Sequence, residues 1–168
     1  MKKINDRIVL GIISGLIGNL SKQLVGKTLI KFFKFSKRDG IRIAVGIFLP
    51  KRKAMKNSLK TRIIGLVADN CIGSFLGVVT TYLLGLTGKD HYRIKGIASG
   101  HFFWVTLYGF LSRMGATSAY PMSEKENIIG FITHTVYGWV TSETAVRLGD
   151  PSLFKPHLKS LSEPEPEK

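Results

Sequence analysis

The chain of 168 residues suits one domain, and 44% of it is hydrophobic although the net charge is +14. Such a charge beside a mean hydropathy of +0.12 excludes an evenly mixed soluble surface; apolar and basic residues are segregated into alternating runs, the pattern of an integral membrane protein rather than of a nucleic-acid binder. The single cysteine, Cys71, excludes an intrachain disulfide and a cysteine-based metal framework.

A membrane helix needs about 20 mainly apolar residues, and four runs qualify. The first covers 8–25 and is interrupted by Asn19 and Lys22, the latter able to snorkel toward the interface. Lys2, Lys3 and Arg7 before it resemble the start of a signal peptide, but its end, "IGNLSKQ", offers no small-residue cleavage site, so a retained helix is expected. Gly11, Gly15 and Gly18 fall on the same face as Lys22.

Residues 27–62 hold 12 Lys or Arg against one acid, Asp39. Basic loops stay on the cytoplasmic side, which orients the chain. The apolar piece from Ile43 to Leu49 is too short to span and stops at Pro50. A surface-lying segment is expected, its phenylalanines in the interface and Lys27, Lys31, Lys34, Lys37, Arg38, Lys51, Arg52 and Lys53 on anionic headgroups, with a short re-entrant hairpin as the alternative.

The second run, 63–87, repeats small or polar residues every four positions, with Gly73 and Gly77 at its middle and Asp69 and Asn70 nearer its start. The turn "GKDHYR" then leads to the third run, 96–112, with Gly96 and Gly100 one turn apart. At 3.6 residues per turn His101, Trp104 and Tyr108 share a face and can satisfy one another by hydrogen bonding. In the fourth run, 128–146, Gly130, His134 and Tyr137 share a face with Gly138 beside it, and Glu143 precedes Arg147 by the favourable four residues. Membrane helices associate through close packing, so these glycines are expected at helix contacts.

Ionisable groups inside a bilayer face the bundle interior. At about 1.5 Å per residue, Asp69 and His134 lie roughly 10 Å from the cytoplasmic boundary and Lys22 about 7 Å. Asn19, Lys22, Asp69, Asn70 and His134 are therefore expected to form one polar cluster. The same arithmetic separates His101 from His134 by roughly 11 Å in depth, which argues against a shared metal. No metal site or cofactor is expected. The chain has no P-loop, dinucleotide fingerprint, H-E-x-x-H or G-x-S-x-G, so no catalytic residue is assigned and an enzyme is not expected.

The stretch "YLLGLTGKDHYRIKGIASGHFFWVTLYGF" resembles small multi-pass membrane proteins of spore-forming Gram-positive bacteria. A span ends there in a Leu-rich run, a turn follows (here Thr87, Gly88, Lys89 and Asp90), and Lys95 and Gly96 open the next span. The N-terminal "GLIGNLSK" and the fourth span resemble the same group, so the likeness runs over residues 5–150. It implies a location in the cytoplasmic membrane and no particular reaction.

The expected protein is all-α: a membrane bundle of about four transmembrane helices over residues 1–150, with a basic interfacial segment, and a flexible tail over 151–168 rich in Pro, Glu and Ser. Its expected role is small-solute or proton permeation. The alternative is a non-transporting scaffold that is structural or binds a partner. Expected partners are lipids, including anionic headgroups, and a second copy or another membrane protein; nucleic acid is not among them.

Overall fold

The computed structural model describes residues 3–33, 40–49, 58–116, 119 and 121–155. Among them the regular structure is all helical. Helix α1 is Arg7–Phe33, α2 Gly40–Phe48, α3 Leu59–Thr87 and α5 Glu124–Leu148. Helix α4 starts as Tyr92–Trp104, passes into a π-helical stretch, Val105–Phe110, and closes on the turn Leu111–Arg113. A single 3-10 turn, Pro151–Phe154, follows α5.

Local chemistry sets the boundaries. Ser58 and Ser123 cap α3 and α5, each accepting from the backbone N–H three residues on while Thr61 or Glu126 reaches back to the cap; this reciprocal pairing satisfies donors that a helix start leaves open. Helix α3 ends where Gly88 takes φ 80°, and His91 at φ 50° completes the tight reversal into α4.

Helix α1 lies between α3 and α5 and runs antiparallel to both, α4 packs on the far side of α5, and α2 lies on α3. Small residues make these crossings. A Cβ at Gly15 would overlap the Gly73 carbonyl and the Gly77 backbone, and one at Gly138 would overlap the backbone of Gly96. Backbone lies directly on backbone there, and only glycine fits.

Burial is inverted relative to a water-soluble domain. Ser14, Asn19, Thr80, Thr81, Thr141 and Ser142 are all buried to within about 1% exposure, while Ile8, Leu24, Val67, Phe75, Phe102 and Phe131 stand outside. Helices α1 and α3 are long and apolar enough to cross a bilayer. With 27 and 29 residues they reach about 40 Å, past a hydrocarbon core of about 30 Å. The third and fourth predicted spans fall on α4, whose α-helical run is 13 residues before the π stretch, and on the 25-residue α5, which carries charges at both ends.

Three boundaries differ from expectation. Helix α1 continues eight residues past Val25 to Phe33, because Lys27 and Lys31 are good helix formers and sit exposed on its last turns. Within the expected surface-lying segment the apolar piece docks on the bundle: Ala44 and Val45 of α2 are buried, and the Val45 side chain and Ile41 carbonyl fill the notch left by Gly65 of α3, while Ile47 and Phe48 face outward. The start of the expected tail is ordered. Asp150 caps the 3-10 turn, Pro151 opens it, and Leu153 and Phe154 complete an apolar cluster with Leu10, Leu84 and Ala145. Ile4 pairs with both Leu148 and Asp150 through 2.9 Å backbone hydrogen bonds, so both ends of the described chain close this end of the bundle.

Candidate functional site

Four polar side chains meet where α1 crosses α3. Asn19, Lys22 and Gln23 lie at positions i, i+3 and i+4 of α1, one face of one turn. Across from them, Asp69 takes the Lys22 ammonium on Oδ1 at 3.0 Å and the amides of Gln23 and Asn19 on Oδ2 at 2.9 and 3.1 Å. Asn19 Nδ2 also donates to the Asp69 backbone carbonyl at 3.1 Å and to Asn70 Oδ1 at 3.0 Å. The Lys22 and Asp69 side chains are 11% and 5% exposed. A carboxylate so buried is tolerable only with its charge matched and each oxygen hydrogen-bonded, and here both conditions hold.

The cluster borders a cavity of about 70 Å³ enclosed by α1, α2, α3, the π stretch of α4 and α5. A single water needs at least about 10–15 Å³, so the space has room for several. It runs from Glu126 and Lys27, near the α1 C-terminus, down to Lys22, Asp69 and His134. A second space of about 40 Å³ continues past the same three residues to Tyr137 and Gly73. Beyond that level the α1–α3 glycine crossing and the Leu10–Leu84 cluster fill the bundle. His134 Nδ1 lies 2.8 Å from the Gly130 carbonyl, which can only accept. Nδ1 therefore carries the proton, and in the neutral ring Nε2 is the acceptor.

All five residues of the expected polar cluster adjoin this site. Sequence reasoning missed Gln23, whose i+4 spacing from Asn19 was the available signal, and assigned Tyr108 to the other polar face. The expected face of His101, Trp104 and Tyr108 is divided. His101 stacks on Phe131 at 4.2 Å and donates through Nε2 to Thr135 Oγ1 at 2.8 Å; Thr135 spends its own proton on Phe131. Trp104 meets Phe131 edge-on and covers Gly130. Tyr108 instead packs edge-on against His134, 5.3 Å between rings. A Cβ at Gly40 would lie 3.7 Å from both Tyr108 Oη and Asp69 Oδ1 and 4.0 Å from Lys22 Nζ, so the phenol stands over the ion pair. The cause is the π stretch: i→i+5 bonding takes more residues per turn, so positions after Trp104 rotate away from the face that a 3.6 period assigns.

The depth separation of the two histidines is also overturned. Gly100 packs on the His134 carbonyl, so His101 and His134 occupy adjacent levels and point to different sides. His134 lies at a different level from the one expected because α5 begins at Glu124 and its pairing with α4 is set where Gly96 meets Ser142. Among the described residues no group of three His, Cys, Asp or Glu is placed to hold a metal ion.

Gly11 packs on Val78, Gly15 on Gly73 and Gly77, Gly18 on Tyr137 and Thr141, and Gly100 on Gly138. Lys27 and Lys31 are exposed at the end of α1; Lys34, Lys37, Arg38, Lys51, Arg52 and Lys53 lie outside the described residues. At the opposite end, Lys95 donates to the Thr87 and Gly88 carbonyls at 3.0 Å each and meets Asp90 at 3.3 Å, tying the end of α3 to the start of α4. Glu143 holds Arg93 and Arg147 at 2.7 Å each and accepts from Tyr92 at 3.1 Å.

No protein-family model, curated protein or solved structure matches the chain.

Proposed function

We propose that this is a multi-pass protein of the bacterial cytoplasmic membrane in which α1, α3, α4 and α5 all cross the bilayer, and that the cavity beside Lys22 and Asp69 receives a small solute or a proton from the cytoplasmic side. The inverted burial supports the location: hydroxyls, amides and glycines line the interior while large apolar side chains face out. The orientation follows from the basic segment 27–62, which keeps the cavity mouth at Lys27 on the cytoplasmic side. Kinship with the small membrane proteins of spore-forming bacteria belongs to the same proposal. It rests on the sequence likeness around Thr87 to Gly96, where Lys95 closes α3 and Gly96 admits α5.

One observation carries the solute reading: a charged pair, a histidine and a tyrosine border open space rather than packed side chains. A second reading, a scaffold that moves nothing, is favoured by the complete pairing of Asp69, which joins α1 to α3 as a latch would. Cysteine accessibility tests the topology in a Cys71→Ser background. Cysteines at Lys89 and Met114 should react with an impermeant reagent from opposite sides; reaction from one side ends the four-span proposal. Proteoliposomes separate the two roles. If the cavity conducts, Asp69→Asn abolishes proton-coupled flux; unaltered flux with a less stable bundle assigns the pair to the scaffold.

A further inference from the structure

Resting on the solute reading above, we infer that the cavity takes a small α-zwitterion, a short apolar amino acid, laid head to tail across the Lys22–Asp69 pair. Three observations converge. First, size: a space of about 70 Å³ beside Lys22 and Asp69 suits a small solute such as glycine or alanine. Second, charge: the described lining carries Lys22 and Lys27 against Asp69 and Glu126, so the ionised groups balance. A lone anion or cation would enter beside as much like charge as opposite charge; a zwitterion meets both signs favourably. Third, spacing: Lys22 Nζ and Asp69 Oδ1 are 3.0 Å apart, and the ammonium and carboxylate of an α-amino acid, joined by one carbon, stand at a similar separation.

The donors and acceptors match this pose. Lys22 spends one of three N–H donors on Asp69, leaving two for a carboxylate. Asp69 Oδ1 retains a lone pair for an ammonium, and His134, with its acceptor nitrogen Nε2, lines the same cavity. Ile41, Ile43 and Ile129 supply an apolar wall for a short side chain. Burial at this depth demands that both ligand charges be paired, which gives the selectivity over molecules bearing only one.

The test uses the full chain in nanodiscs with L-alanine as the probe and acetate and ethylamine as single-charge controls. Alanine should bind saturably, and neither control should displace it at equal concentration. Lys22→Gln should weaken binding at least ten-fold. Because that variant can also loosen the fold, Gly26→Leu is the second. A Cβ at Gly26 meets only Thr133 Cγ2, at 3.4 Å, so a larger side chain enters the cavity without striking backbone and should weaken binding as much with helicity unchanged. Equal binding of acetate or ethylamine overturns the zwitterion, as does full alanine affinity in Gly26→Leu. A Gly26→Cys variant on the Cys71→Ser background, probed from the cytoplasmic side with a small methanethiosulfonate, separates the failures. Labelling that alanine does not slow refutes the ligand and leaves the cavity; no labelling refutes the cavity, and the ligand with it.

Discussion

Removing the Asp69 carboxylate should cost far more than any single hydrogen bond in the bundle. Lys22 and Asp69 are 3.0 Å apart with side chains 11% and 5% exposed. At an effective dielectric of about 20, charges at that distance attract by about 5 kcal/mol, much of it offset by the desolvation of both groups. Asp69→Ala leaves the desolvation of Lys22 in place and deletes the attraction. Asn19 keeps its bonds to the residue 69 carbonyl and to Asn70, while Gln23 loses its 2.9 Å bond and keeps only a 3.4 Å one to Asn70. The stranded ammonium therefore dominates, and breaking such a pair costs about 3–5 kcal/mol. Lys22→Met with Asp69→Leu removes both charges and should return to within about 1 kcal/mol of the native protein. Reversible unfolding in mixed micelles, followed by circular dichroism, gives the cycle. An interhelical hydrogen bond in a membrane averages about 0.6 kcal/mol. A loss of that size for Asp69→Ala, or a double variant as costly as the two singles added, would show that the pair is hydrated and that the reasoning from burial is wrong.

Gly138→Ala should destabilise by about 1–3 kcal/mol in the same assay, because the added methyl strikes the Gly96 backbone; Gly109→Ala, whose Cβ meets only Val105 Cγ1 at 3.8 Å, should be neutral. Tyr137→Phe strips the 2.7 Å bond to the Gly73 carbonyl and should cost about 0.6–1.7 kcal/mol, with the α3–α5 contact otherwise retained. The Asp150 carboxyl is held below its usual range chiefly by hydrogen bonds from Ser152. A depressed value means that its contribution is present above the unfolded pKa of 3.8 and is lost as pH falls through the folded one. Amide protection factors at Leu153 and Phe154, corrected for intrinsic exchange, should accordingly be higher at neutral pH and fall in acid, and Asp150→Asn should abolish that dependence.

Much of the architecture is legible in hydropathy. Helices α1, α3 and α5 coincide with apolar runs because a run of that length has one economical backbone arrangement, with every N–H bonded inside the segment. The convergence of Lys22 with Asp69 is legible too, since two buried charges of opposite sign at similar depth have few places to go. Tyr108 was not readable. Its position follows from six residues of π-helix, and nothing in "VTLYGF" distinguishes that winding from an ordinary turn. The docking of α2 was hidden because a nine-residue apolar piece suits an interface, a hairpin or a groove equally well. Leu153 and Phe154 sit in a polar tail, and only the Leu10–Leu84 pocket explains their order.

By itself the sequence determined what each segment can be: which runs are helical, which faces carry small residues, and which few charges need a partner. These are properties of local composition and period. Only the tertiary structure decided who the partners are. Contacts such as Gly15 on Gly73, Tyr108 over Lys22 and Gly100 on His134 depend on crossing angle, helix register and winding, which arise from many residues far apart in the chain acting at once.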